Sequence, residues 1–227
     1  MTTFVLVPGA GGQAWYWHRL VAELGARGHE AIAVELPGDD DTAGLDVYVK
    51  TVVDAIADRR HVVLVAQSIG AFTAPQVCHE ASVDLLVLLN AMIPAAGETA
   101  GAWWDNTGQA LASAEMARRE GRSEGFDLGE VFFHDVPEDI TKEAIAGGRD
   151  QSGRPFEDVW PLDHWPDVPT RVLVGRNDRF FPAEFQLRVA RERLGIVPDE
   201  MPGGHLLALS RPAELADRLE AYARDLS

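Results

Sequence analysis

The sequence predicts an α/β fold, a mostly parallel sheet with helices on both faces. Three observations carry that prediction. Short apolar runs recur at 4–7, 31–36, 61–66, 85–89 and 171–175. Helical periodicity fills most of the intervals between them, and proline and glycine punctuate the helices where helices prefer them. In chain order, Phe4-Val5-Leu6-Val7 reads as a buried parallel strand. A glycine-rich turn follows it, and then Trp17, Leu20, Val21 and Leu24 recur at helical spacing. The run 31–36 is the second strand. Val49, Val52, Val53 and Ile56 then mark one face of a helix at i, i+3, i+4 and i+7. The run 61–66 leads into Gln67-Ser68-Ile69-Gly70-Ala71, a sharp strand-to-helix turn, and Pro75 should kink the helix beyond it or remove one of its hydrogen bonds. The run 85–89 is the fourth strand.

Between Pro94 and about Pro169 the alternation stops. Helix-like pieces at 109–120 and 138–146 replace strand runs there. We expect 94–169 to be a helical lid inserted over the carboxyl ends of the strands, where open α/β sheets bind ligands, with 1–93 and 170–227 forming the core. The run 171–175 resumes the sheet. A helix at 182–194 has Pro at its start and Gly195 past its end. Ser210-Arg-Pro-Ala-Glu opens a last helix whose apolar face includes Leu215 and Leu219.

The chain has 227 residues, 46% hydrophobic and 25% charged, which suits one domain with an insertion. Its formal charge of -16 argues against nucleic acid and anionic membranes as partners, since both need clustered cations. No apolar stretch approaches a membrane span, and no signal peptide is visible before the first strand. Cys78 is the single cysteine, as in chains from a reducing compartment. The expectation is a cytoplasmic monomer or homodimer acting on a small molecule. His18, His29, His61, His79 and His164 lack metal-ligand spacing, so neither a metal nor a cofactor is expected. Cys78 should be a buried small apolar residue.

The first glycine loop has two chemical readings. Gly9-x-Gly11-x-x-Ala14 fits the pattern that cradles a dinucleotide, with Glu35 as the acidic residue such a site wants. The same geometry can supply a backbone N–H to an oxyanion. The remaining strand ends favour the second. Ala66-Gln67-Ser68-Ile69-Gly70 is a G-x-S-x-G elbow with alanine at its first glycine. Arg171-Val-Leu-Val-Gly-Arg-Asn-Asp178 is a strand ending in a loop carboxylate, and Met201-Pro-Gly-Gly-His205 presents a histidine before the last helix. The order Ser68, Asp178, His205 suits a nucleophile, an orienting acid and a base.

On these residues the whole chain resembles the α/β-hydrolase superfamily, most closely its compact branch of methyl esterases, hydroxynitrile lyases and bacterial relatives. The resemblance rests on Val7-Pro8-Gly9-Ala10 with Trp15 and Trp17, Gln67-Ser68-Ile69-Gly70, Gly175-Arg-Asn-Asp178 and Gly204-His205. It implies Ser68 as nucleophile, Asp178 as acid, His205 as base, and the Ala10 and Ile69 N–H groups as the oxyanion hole. Pro8 and Gln67 stand where relatives usually carry His. Hydroxynitrile lyases of the branch carry Lys after the catalytic His and Thr beside the oxyanion loop. Leu206 and Gly9 occupy those positions here, so the resemblance implies hydrolysis of small, largely apolar esters rather than cyanohydrin cleavage. Trp103, Trp104, Phe126, Phe132, Phe133 and Trp160 are candidate pocket walls or the insertion's own core, with Gly9, Trp103, Trp104, Phe133, Trp160 and Leu206 taken as the substrate pocket. His134-Asp135 reads as two neighbours on a surface loop. Two other readings stay open: a catalytically degenerate member that binds a small ligand, and a nicotinamide-dependent reductase.

Overall fold

The computed structural model describes residues 1–226. The strands are β1 (Thr3–Val7), β2 (Glu30–Ala33), β3 (Val62–Gln67), β4 (Leu85–Leu89), β5 (Thr170–Gly175) and β6 (Asp199–Met201). A 3-10 turn, Ala14–Trp17, precedes α1 (His18–Ala26), and α2 (Leu45–Ile56) and α3 (Gly70–Glu80) flank β3. Between β4 and β5 lie α4 (Ala100–Thr107), α5 (Gln109–Arg119), α6 (Leu128–Phe132), α7 (Glu138–Ala146) and α8 (Arg154–Glu157). After β5 come α9 (Ala183–Leu194), α10 (Leu207–Ser210) and α11 (Pro212–Arg224).

The sheet order is β2-β1-β3-β4-β5-β6, with every neighbouring pair parallel among the described residues. Parallel strands covered on both faces need apolar residues in both directions, which is why the runs do not alternate. Val5 and Val7 of β1 point to one face and pack with Val49, Val52, Phe72 and Phe185. Phe4 and Leu6 point to the other and pack with Leu20, Leu24, Leu215 and Leu219. Each buried Leu or Phe contributes roughly 1.5–3 kcal/mol relative to exposure.

Helix boundaries follow local chemistry. The α2 stripe buries Val49, Val52 and Ile56, and Ala57 ends the helix at a φ of 47°. No side chain of its own caps α2; Asp158, from the insertion, accepts the Leu45 N–H at 2.8 Å. That puts an anion at a helix N-terminus, where the macrodipole favours it. Pro75 falls inside α3, as expected, and is buried.

Two sequence expectations need correction. The second strand ends at Ala33, because Leu36 N–H turns instead to the Gly12 carbonyl at 2.8 Å. The edge strand β6 is additional: Asp-Glu-Met has one apolar residue and no run to read. The insertion contains the two expected helices, α5 and α7, with α4, α6 and α8 besides. Its ends are tied by an antiparallel bridge between Thr99 and Val159. Beside that bridge Arg193 of α9 donates from Nη2 to the buried Glu98 carboxylate at 2.9 Å. No helix among the described residues is long and apolar enough to cross a membrane.

The order of strands reverses at β1. The chain runs outward from β1 to β2, then returns to place β3 on the other side of β1. A crevice opens at the carboxyl ends of strands at such a reversal. The loops after β1 and β3 meet there.

Candidate active site

The β3–α3 elbow is built by close approach. Ser68 sits at a φ of 52°, a strained conformation for a side chain with a Cβ. Its carbonyl accepts from Ala71 and Met92, and its N–H donates to the Leu89 carbonyl, so the surroundings hold it there. Gly70 must be glycine: a Cβ would stand 2.8 Å from the Pro8 carbonyl oxygen. A Cβ on Gly9 would displace the Gln67 carboxamide and stand 3.0 Å from the Ser68 Cβ. Elbow and first loop are therefore pressed together, and Gln67 fills the space beneath. The alanine at position 66 lies inside β3, fully buried, and leaves this contact intact.

Asp178 is fully buried in the turn after β5. Its Oδ1 accepts the N–H groups of Phe180 and Phe181, both at 2.8 Å. Its Oδ2 accepts from Gln186 Nε2 at 3.2 Å and pairs with His205 Nδ1 at 2.8 Å. With both oxygens already accepting, Nδ1 carries the proton and Nε2 is the basic nitrogen. His205 is 1% exposed and edge-on to Phe132, Phe180 and Phe181, with centroids 5.2, 5.2 and 4.9 Å away. Imidazole and carboxyl are thus fixed by a water-poor shell.

Asn90 links the two loops. Fully buried at the end of β4, it accepts from Gly175 N–H at 2.7 Å and donates to the carbonyls of Gly204 and His205 at 3.1 and 3.0 Å. Asn177 adds a second tie, accepting from Gly203 N–H at 3.1 Å. Asn90→Ala should cost on the order of 3 kcal/mol, because it orphans a buried N–H and two carbonyls. Thermal unfolding should then fall by roughly 6–12 °C for a chain of this length.

Ser68 and His205 line one cavity of about 620 Å³, together with Ala10 and Ile69. Neither the Ala10 nor the Ile69 N–H donates to a protein acceptor among the described residues. Ser68 and His205 share the cavity without a direct hydrogen bond; such contacts are often long until substrate arrives. The remaining wall is mostly apolar, including Trp15, Trp104, Phe132, Phe133, Phe156 and Phe180. Burial pushes the Tyr16 phenol, also at the wall, far above its usual range and keeps it neutral. A larger hollow, about 820 Å³, lies at the opposite, amino ends of the strands around Met1, His61 and Pro169. Among the described residues, neither a serine nor a cysteine lines it.

Of the expected pocket residues, Gly9, Trp104, Phe133 and Leu206 line this cavity. Trp103 and Trp160 do not. Trp103 is fully buried against Phe181 and Phe185, its indole N–H on the Ile93 carbonyl at 3.0 Å. Trp160 is buried beside Trp165. Both belong to the core, because the insertion needs apolar anchors on the sheet. Phe126 is 68% exposed.

His134 and Asp135 are not on a free surface loop. Asp135 accepts the Gly204 N–H at 2.7 Å, and a Cβ on Gly204 would stand 2.8 Å from both side chains. Burial holds the His134 imidazole below its ordinary value. Cys78 is half-buried, and burial pushes its thiol up to about 12, far from a nucleophile.

The dinucleotide reading of the first loop fails on charge. Glu35 places a carboxylate oxygen 2.6 Å from the Ala14 N–H, where a pyrophosphate would need to lie. The Gly11 and Gly12 N–H groups already serve Gln151 and the Gly9 carbonyl.

Comparison with known proteins agrees with the fold. The model of the family described as alpha/beta hydrolase matches residues 4–218. A probable esterase, PIR7A, from Oryza sativa subsp. indica is 26% identical, the match covering 95% of this chain and 94% of that protein. An alpha-hydroxynitrile lyase from Arabidopsis thaliana is 25% identical, covering 98% and 97%. Among solved structures, an extracellular alpha/beta-hydrolase from a Paenibacillus species superposes with a TM-score of 0.79 at 18% identity, covering 97% of this chain and 98% of that one. That protein is described as sharing structural and functional homology with tobacco salicylic acid binding protein 2.

Proposed function

The chain belongs to the alpha/beta hydrolase family, and from that premise we propose that it is a serine carboxylesterase acting on small, largely apolar esters. The observation that carries the proposal is the convergence on one apolar cavity of Ser68, of His205 with Asp178 behind it, and of Ala10 and Ile69, whose N–H groups have no protein acceptor among the described residues. In this reading Ser68 Oγ attacks the ester carbonyl while His205 Nε2 takes its proton. The carbonyl oxygen becomes an oxyanion held by the Ala10 and Ile69 N–H groups. The tetrahedral adduct collapses, the C–O bond to the alcohol breaks, and His205 returns the proton to the departing alkoxide. Water repeats the sequence on the acyl-Ser68, releasing acid and free serine. Asp178 fixes the tautomer and stabilises the imidazolium without taking the proton.

The cavity supports the substrate class. At about 620 Å³ with aromatic walls, it lies within the range of pockets that enclose small organic ligands. Arg149 is the one lysine or arginine among its described wall residues, and it is paired with Glu35 at 2.6 Å. Leu206, not a cation, follows His205. A departing cyanide would find no free positive charge, which supports esterase over lyase chemistry. Residues 94–169 act as the lid that closes this cavity.

Steady-state turnover of p-nitrophenyl esters of graded acyl length tests the proposal. We expect multiple turnover, with kcat/KM rising as the acyl chain fills the cavity. Saturable binding of the same esters without release of p-nitrophenol would support instead the catalytically degenerate ligand-binding protein. The departures at Pro8, Ala66 and Gln67 are what keep that alternative in view.

A further inference from the structure

The oxyanion loop is held from outside as well as by its own turn. Gly12 N–H donates to the Gly9 carbonyl at 3.1 Å, closing a four-residue turn with Ala10 and Gly11 at its centre. Gly11 has a φ of 86°, which makes the turn type II. Glycine at that position favours type II by itself. The insertion adds a second hold: Gln151 Oε1 accepts the Gly11 N–H at 2.8 Å across 140 residues of sequence.

Gln151 is in turn well anchored. Its Nε2 donates to the carbonyls of Gly38 and Ser152 and to the Tyr48 hydroxyl, at 3.2, 2.9 and 3.3 Å. Neighbouring contacts point the same way. Gln13 Nε2 donates to the Gly147 carbonyl at 2.8 Å. Arg149 pairs with Glu35, whose other oxygen holds the Ala14 N–H. The segment 147–151 thus grips the glycine loop at Gly11 and Gln13 directly and at Ala14 through Glu35. Gln151 also lines the cavity, so the grip is applied beside the reacting centre.

We propose that Gln151 is a positioning residue of the oxyanion hole: from the insertion it tethers Gly11, the residue that follows Ala10, and so holds the turn that carries the Ala10 N–H beside the elbow. The proposal rests on the esterase reading, which gives Ala10 its role. Loss of the Gly11 acceptor frees the turn to shift against the elbow, and the Ala10 N–H shifts with it. Stabilisation of the transition state falls, while the apolar walls that bind the ground state stay in place.

Gln151→Met keeps the length and removes the acceptor; Gln151→Glu keeps an acceptor oxygen. We expect Gln151→Met to lower kcat by about ten- to a hundredfold, somewhat less than outright removal of an oxyanion donor. KM should stay within about twofold, as for an interaction made only in the transition state. Affinity for an aryl trifluoromethyl ketone, which forms the tetrahedral adduct, should fall by the same factor as kcat/KM. Gln151→Glu should recover part of both. In the wild-type protein, the Gly11 amide should exchange slowly with deuterium, a readout independent of whether Gln151→Met folds. Unchanged kcat in folded Gln151→Met, a fall shared equally with KM, no recovery in Gln151→Glu, or rapid exchange at Gly11 each overturns the proposal and leaves the esterase reading standing. A wild-type protein that neither turns over esters nor binds the ketone overturns the esterase reading, and the proposal with it.

Discussion

Ser68→Ala is expected to abolish ester turnover, by on the order of 10⁶ in kcat, with the fold unchanged. The magnitude follows from removing a nucleophile that acts as a unit with its base, after which only oxyanion stabilisation and binding remain. The fold should persist because every backbone contact of Ser68 survives: its N–H on Leu89 and its carbonyl on Ala71 and Met92. Alanine meets the φ of 52° at about the same cost as serine, so the melting temperature should move little. Substrate affinity should persist too, since the aromatic wall is untouched. Equilibrium binding of a non-hydrolysed ester to Ser68→Ala, measured beside its turnover, separates the two effects.

Asp178→Asn is expected to lower kcat by roughly 10⁴ through the tautomer of His205. The amide oxygen can still accept from Phe180 and Phe181, so the turn should hold. Its NH₂ must then face both Gln186 Nε2 and His205 Nδ1. Donor against donor is repulsive. The imidazole relieves it by moving its proton to Nε2, and the nitrogen that should take the Ser68 proton becomes a donor. The expected signature is a large fall in kcat with KM nearly unchanged, and ¹⁵N shifts of His205 that report the exchanged tautomer. A variant that keeps the wild-type tautomer and still loses activity would assign Asp178 an electrostatic role instead.

Much of this architecture is legible in the chain because its signals are local. Apolar runs announce β1 to β5, and Gly9, Ser68, Asp178 and His205 each stand just beyond a strand end. What escapes the sequence is long-range or polar. The edge strand β6 pairs three residues, two of them acidic, and takes its identity from β5 rather than from its own composition. Asn90 looks like an ordinary turn residue after an apolar run, although its carboxamide joins the acid and base loops. Gln186 is one polar position on α9 and becomes an Asp178 partner only because the turn before it is tight. Trp103 and Trp160 show the converse limit. A tryptophan in an insertion signals burial, but whether it faces core or cavity is decided by packing that sequence does not display. His134 and Asp135 look like surface neighbours in the sequence for the same reason, and they pack instead on the loop that carries His205.

The central claim is that Ser68 is a nucleophile activated by His205. Labelling with a fluorophosphonate serine probe, located by peptide mass spectrometry, tests it most directly. We predict stoichiometric modification at Ser68 alone in the wild-type protein, none in Ser68→Ala, and strongly slowed labelling in Asp178→Asn. A well-folded wild-type protein that takes no probe, or takes it at another serine, would contradict the account.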